Sequence, residues 1–180
     1  MHSKNLIKHD NPVIFILWGL VLAKCLTLEY LIQVYSAPIN SLFYIWALSL
    51  LMATAATLTF FRTSFDITGF RKTAPLLWII VFSCAVVGFV MSLGIVFFTE
   101  LNPYKIPAIL SFLSGVAYLS RGILTGKHIY SLSGIGWWVG TATLATRNGP
   151  ENLPIFAFLI ILWGVAPSII DLRRQQRAFL

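Results

Sequence analysis

The sequence predicts an all-α, polytopic membrane protein: six transmembrane helices in a single bundle over residues 1–180, with the N- and C-termini both cytoplasmic. Three observations carry this reading. Of the 180 residues, 58% are hydrophobic and only 11% charged, and the mean hydropathy is +0.83, whereas a water-soluble domain is nearer half apolar and a quarter charged. The apolar residues come in long blocks rather than at the 3.6- or 2-residue period of a half-buried helix or strand, as expected where the solvent is hydrocarbon. The basic residues, finally, cluster in alternate connections.

The blocks define the spans in order: Pro12 to about Tyr35, Ile39 to Phe61, Pro75 to Phe98, Ile106 to Ile123, Ile129 to Ala145 and Leu153 to Leu172. A helix needs roughly 20 residues, within about 17–25, to cross the hydrocarbon, and the fifth block is the marginal one. Pro12, Pro75 and Pro154 fall in the first turn of their spans, where a missing N–H removes no helical hydrogen bond. Pro38 and Pro107 mark starts in the same way. Pro167 lies inside the sixth span and is expected to kink it or to free a carbonyl.

The first block is read as a true span rather than a cleaved signal peptide. It is too long, carries Lys24 and Glu29, and lacks a small-x-small cleavage site. The longest connection, Arg62 to Ala74, has no room for a folded soluble domain. The tetrapeptide Ile16–Gly19 recurs at Ile161–Gly164, but an inverted three-plus-three repeat would pair the first span with the fourth.

Charge tests the layout independently. With the N-terminus inside, ten basic residues lie on the cytoplasmic side: Lys4 and Lys8; Arg62, Arg71 and Lys72; Arg121 and Lys127; Arg173, Arg174 and Arg177. Only Lys105 and Arg147 lie opposite. This positive-inside bias places the chain in the cell (inner or plasma) membrane. The net charge of +7 is thereby a matter of topology, and no basic stretch has the density of a nucleic-acid-binding face. The same residues would suit anionic headgroups or an acidic partner.

Chemistry is sparse. No metal-ligand or disulfide spacing links Cys25 and Cys84, which read as buried thiols. His2, His9 and His128 cannot form a mid-membrane haem pair. No HExxH, GxSxG or CxxC motif and no carboxylate cluster is present. No catalytic residue, cofactor or metal is therefore expected, and the balance lies against an enzyme.

Two features stand out. Lys24 and Glu29 lie inside the first span, where an ionisable group costs about 2.5–3.5 kcal/mol at the helix centre unless it meets a partner or cavity. Five positions apart, they lie about 140° from each other around the helix, so Glu29 shares its stripe with Cys25 and Gln33 instead. The fifth span combines Ser131, Ser133, Thr141, Thr143 and Thr146 with Gly134, Gly136 and Gly140. Its Trp137 and Trp138 fall at mid-span, where an indole N–H needs an acceptor, and Trp163 is similarly deep. Small-residue seams at Ser49, Ala53 and Thr57, and at Cys84, Gly88 and Ser92, read as helix contacts.

The leading expectation is a protein that binds and translocates a small molecule, with Lys24, Glu29, Trp137, Trp138 and Thr141 as the candidate ligand pocket. It would work alone, as a homo-oligomer or with a partner membrane subunit. The alternative is a non-catalytic accessory or assembly subunit of a membrane complex. An intramembrane lipid enzyme is the least supported, and would require Glu29, Asp66 or Glu100 to converge with a basic residue. The layout predicts that tags placed near Lys105 and after Arg177 are modified from opposite sides of the membrane. Recovery of both on one side would overturn it.

Overall fold

A helix is the one open structure that satisfies all its backbone hydrogen bonds within a single segment, which is why hydrocarbon selects it. The computed structural model describes residues 12–36, 40–64 and 102–177, and all regular structure among them is helical. Helix α1 is Pro12–Val34 and α2 is Asn40–Ser64. A 3-10 turn at Pro103–Lys105 leads into α3, Ile106–Thr125. Helix α4 is His128–Ala145 and α5 is Asn152–Arg177. The expected third span, Pro75 to Phe98, and the seam of Cys84, Gly88 and Ser92 lie outside the described residues.

Among the described residues three helices are long and apolar enough to cross a membrane: Pro12–Val34, Pro103–Thr125 and Asn152–Arg177. Helix α2 contributes a shorter apolar stretch, Tyr44–Thr57. Helix α4 is helical over the fifth predicted block, but its glycines, serines and threonines keep it out of the three.

Exposure in α2 is inverted relative to a soluble helix. Tyr44, Leu48, Leu51 and Met52 are exposed, Leu51 to 67%, whereas Ser49 is 8% and Ala53 2% exposed. Large apolar side chains outside and small or polar ones inside are what lipid-facing helices require, since hydrocarbon does not drive leucines together.

The chain divides into two compact units, each described by itself. One contains the antiparallel α3–α4 hairpin. Asn102 caps the 3-10 turn, its Oδ1 accepting from the Tyr104 N–H at 2.9 Å. The turn between the helices is closed by Gly126 at φ +67°, a left-handed conformation that glycine adopts without a Cβ penalty. At the far end the Asn102 amide donates to the Asn148 carbonyl at 2.6 Å and Lys105 donates to the Ala145 carbonyl. The last turn of α4 and the residues after it thereby gain partners for carbonyls that the helix cannot satisfy itself.

The hairpin helices approach closely on small residues. A Cβ on Gly134 would sit 2.8 Å from the Leu119 nitrogen and 2.9 Å from the Gly115 oxygen; one on Gly122 would meet the Ser131 backbone at 2.5 Å. Gly115 and Gly122 are seven apart, two helical turns, and so lie on one face of α3. Gly136 and Gly140, the GxxxG pair of α4, are buried, but the tight approach to α3 is made at Gly134.

The other unit contains α1, α2 and α5. Helix α5 is α-helical over Asn152–Leu159, π-helical over Ile160–Val165 and α-helical again over Ala166–Arg177. The Ala166 N–H reaches back five residues to the Ile161 carbonyl. Pro167 offers no N–H, and α5 accommodates it by widening in the preceding turn and continuing. Just beyond, Ser168 donates its hydroxyl to the Gly164 carbonyl at 3.1 Å. Gly19 of α1 packs at this turn, and a Cβ there would lie 2.5 Å from Val165 Cγ2.

Gly134→Ala is expected to destabilise the hairpin by about 1–3 kcal/mol, the usual cost of overpacking, because the obstructing atoms are backbone. Ile135→Ala, on an exposed position, is expected to stay within about 0.5 kcal/mol. Thermal unfolding of both variants in detergent tests this, and equal melting temperatures would contradict the close approach.

Candidate functional site

In the α1, α2 and α5 unit the polar side chains of α1 meet α2 in an antiparallel ladder. Trp18 Nε1 donates to Thr57 Oγ1 at 3.0 Å, Lys24 Nζ to Ser49 Oγ at 2.8 Å, and Trp46 Nε1 to Glu29 Oε2 at 3.1 Å. Ser49 and Thr57 of the α2 seam accept at two of the rungs, and at the third α2 donates to α1. Lys24 and Glu29 thus do not pair with each other, as their angular separation requires. The stripe of Cys25, Glu29 and Gln33 is not a uniform lining: Cys25 is buried, Glu29 half-buried and Gln33 exposed.

Lys24 also lines a groove of about 530 Å³ between α1 and α5. Leu20, Ala23, Thr27 and Leu28 form its α1 side, and Pro154, Ala157, Phe158 and Ile161 its α5 side. Gly19 meets Val165 while the later α1 residues face the earlier α5 residues, so these two helices are antiparallel. The groove opens outward, with Leu20 and Phe158 exposed. Thr27 turns its hydroxyl back to the Ala23 carbonyl at 2.8 Å. Among the described residues Lys24 is the one ionisable group on the wall.

The other three candidates, Trp137, Trp138 and Thr141, belong to the α3–α4 hairpin. The Trp137 carbonyl, inside α4, accepts in addition from Ser111 Oγ at 2.9 Å and from Thr141 Oγ1 at 3.0 Å. The Trp137 ring is 2% exposed and tilts against Tyr118, with ring centroids 6.3 Å apart. Trp138 is 38% exposed, donates its indole N–H to the Phe112 carbonyl at 3.3 Å, and stacks on the Phe112 ring at 6.2 Å. Of the two mid-span indoles Trp137 is the one turned inward, and Trp138, whose N–H meets the Phe112 carbonyl, is the more exposed.

Arg121 departs from its expected place on a basic surface. It is 1% exposed, and its guanidinium lies 3.8 Å above the ring of the buried Tyr130. Lys127 lies over the same ring at 5.9 Å. Cation–π contact gives a buried guanidinium a favourable surface that a lone charge would lack. The sequence places Arg121 with the cytoplasmic basic residues and their surface; its buried partner, nine positions away on the next helix, has no local signature. Trp18 and Trp46 were missed for the same reason. Asp66 and Glu100 lie outside the described residues.

No family model matches the chain, and no curated protein or solved structure is significantly similar to it.

The Trp46–Glu29 bond predicts a measurable coupling. In a double-mutant cycle of Trp46→Phe and Glu29→Gln, thermal unfolding in detergent should give an interaction energy of about 0.6–1.7 kcal/mol, the range for hydrogen bonds between membrane helices. Strict additivity would mean that the two side chains do not interact.

Proposed function

We propose that this chain is a six-span protein of the cell (inner or plasma) membrane, both termini cytoplasmic, that binds and translocates a small molecule. The observation that carries the reading is Lys24, halfway along a membrane-length helix and lining a groove. A lysine at that depth is costly and marks a ligand or pathway by default. The groove volume of about 530 Å³ falls within the roughly 300–1,000 Å³ of small-molecule sites.

Two further observations support the layout. Antiparallel packing of α1 and α5 puts the start of α1 and the end of α5 at one end of their unit, as an even number of spans requires. The terminal Arg173, Arg174 and Arg177 of α5 fall at that same end, in keeping with a cytoplasmic face rich in basic residues.

An accessory or assembly subunit, with a partner membrane subunit or a second copy, is the second reading. It is favoured by Glu29, Trp18, Trp46 and Trp138, whose polar atoms bond inside their own units. Such bonds hold a scaffold without needing a ligand.

Native mass spectrometry of the detergent-purified protein separates the two. Ligand binding predicts a retained small-molecule mass on each protomer, lost in Leu20→Trp, which fills the groove. A stoichiometric second protein with no retained solute would overturn the first reading and establish the second.

A further inference from the structure

The geometry points to a hydrophobic monocarboxylate as the occupant of the α1–α5 groove, its carboxylate on Lys24 and its apolar chain along Leu20, Leu28, Phe158 and Ile161. This rests on the small-molecule reading of that groove and names the class of molecule.

Size selects a small molecule over a protein. From Leu20 to Leu28 the groove follows nine residues of α1, about 12 Å over their eight steps of 1.5 Å. A partner helix would instead seat along most of the 23-residue helix, about 34 Å at the same rise. The wall selects an apolar body. Leu20, Ala23, Leu28, Ala157, Phe158 and Ile161 offer only carbon, Pro154 has no N–H, and the Thr27 hydroxyl donates to its own helix.

Charge selects the head. An ammonium has three donors, and among the described residues the bond to Ser49 uses one of them. No carboxylate pairs with Lys24 among the described residues, since Glu29 lies on another face of α1 and accepts from Trp46. A bound carboxylate would take the remaining donors in charge-assisted hydrogen bonds. One cation at this depth is neutralised by one negative charge, whereas a doubly charged phosphate would leave an excess in hydrocarbon. The Ser49 bond fixes the Lys24 ammonium, and Lys24 belongs to the groove wall.

The full-length protein in phosphatidylcholine nanodiscs tests the assignment with radiolabelled palmitate, whose chain outruns the groove and would continue into the surrounding lipid, using hexadecanol as the uncharged competitor. Saturable palmitate binding is expected, displaced by palmitate and not by hexadecanol. Lys24→Gln should weaken it by about tenfold or more, as the loss of a hydrogen bond to a charged group implies, and Lys24→Arg should restore most of it. Hexadecanol competing as well as palmitate, or Lys24→Gln binding like the native protein, overturns the proposal. If Lys24→Gln fails to fold, the acid-against-alcohol comparison on the native protein and the blocking variant Leu20→Trp decide it.

4-Phenylbutyrate forms the second arm. Binding of it in preference to palmitate assigns a water-borne acid rather than one drawn from the membrane. If neither acid binds while native mass spectrometry shows another retained solute, the carboxylate assignment falls and the small-molecule reading stands. If no solute is found either, both fall.

Discussion

Hydrocarbon donates and accepts no hydrogen bonds, so every polar atom that enters it must bring or find a partner within the protein. The hydroxyls show how consistently this is met. Thr27, Thr54, Thr57 and Thr59 bond the carbonyl four residues back in α1 and α2. Ser133, Thr141 and Thr143 do so in α4, and Ser168 in α5. In water such back-bonding competes with secondary structure and slightly weakens a helix. In lipid it lets a threonine pass as a nearly apolar residue, which is how α4 can be rich in hydroxyls and remain regular.

Close approach follows from the same constraint. With no water to expel, helices gain by packing, and packing improves as backbones draw together over small residues. Gly115 with Gly134, Gly122 with Ser131, and Gly19 with Val165 are such places. Polar bonds then fix the register. The three rungs between α1 and α2 descend one helix as they rise along the other, and a slip of one residue would break all three while removing Ala53 from the contact. Gly19 sits against the π turn, so the widening that accommodates Pro167 also shapes the surface on which α1 rests.

The helical class and the five described helices were legible because each rests on a local signal: block length, or a proline at the start of the block. The ends agree within a few residues, α5 running past Leu172 to Arg177 because an arginine-rich last turn suits a helix C-terminus facing water. The seam of Ser49, Ala53 and Thr57 was legible too, since four-residue spacing lies on one helix. What joins two helices was not. Neither Trp46 with Glu29 nor Arg121 with Tyr130 has a spacing that a single segment reveals, and the α3 contact surface repeats every seven residues, not four. Pro167 was visible as a disturbance, but a π turn and a kink are alternative answers to the same missing N–H, and the packing of Gly19 is a tertiary fact.

Lys24 and Glu29 show how two ionisable residues of one helix can stand in different surroundings. Both are ionisable, both lie in α1, and both reach α2. Glu29 is five residues from the end of the helix, about 7.5 Å, where the cost of a charge falls towards the interface, and its indole partner occupies it within the unit. Lys24 sits at the midpoint, where that cost is greatest, and among the described residues its hydroxyl partner takes one of its three donors. It also borders a groove that Glu29 does not line. Of the five residues singled out by sequence, Lys24 alone combines a mid-helix position with a place on the groove wall.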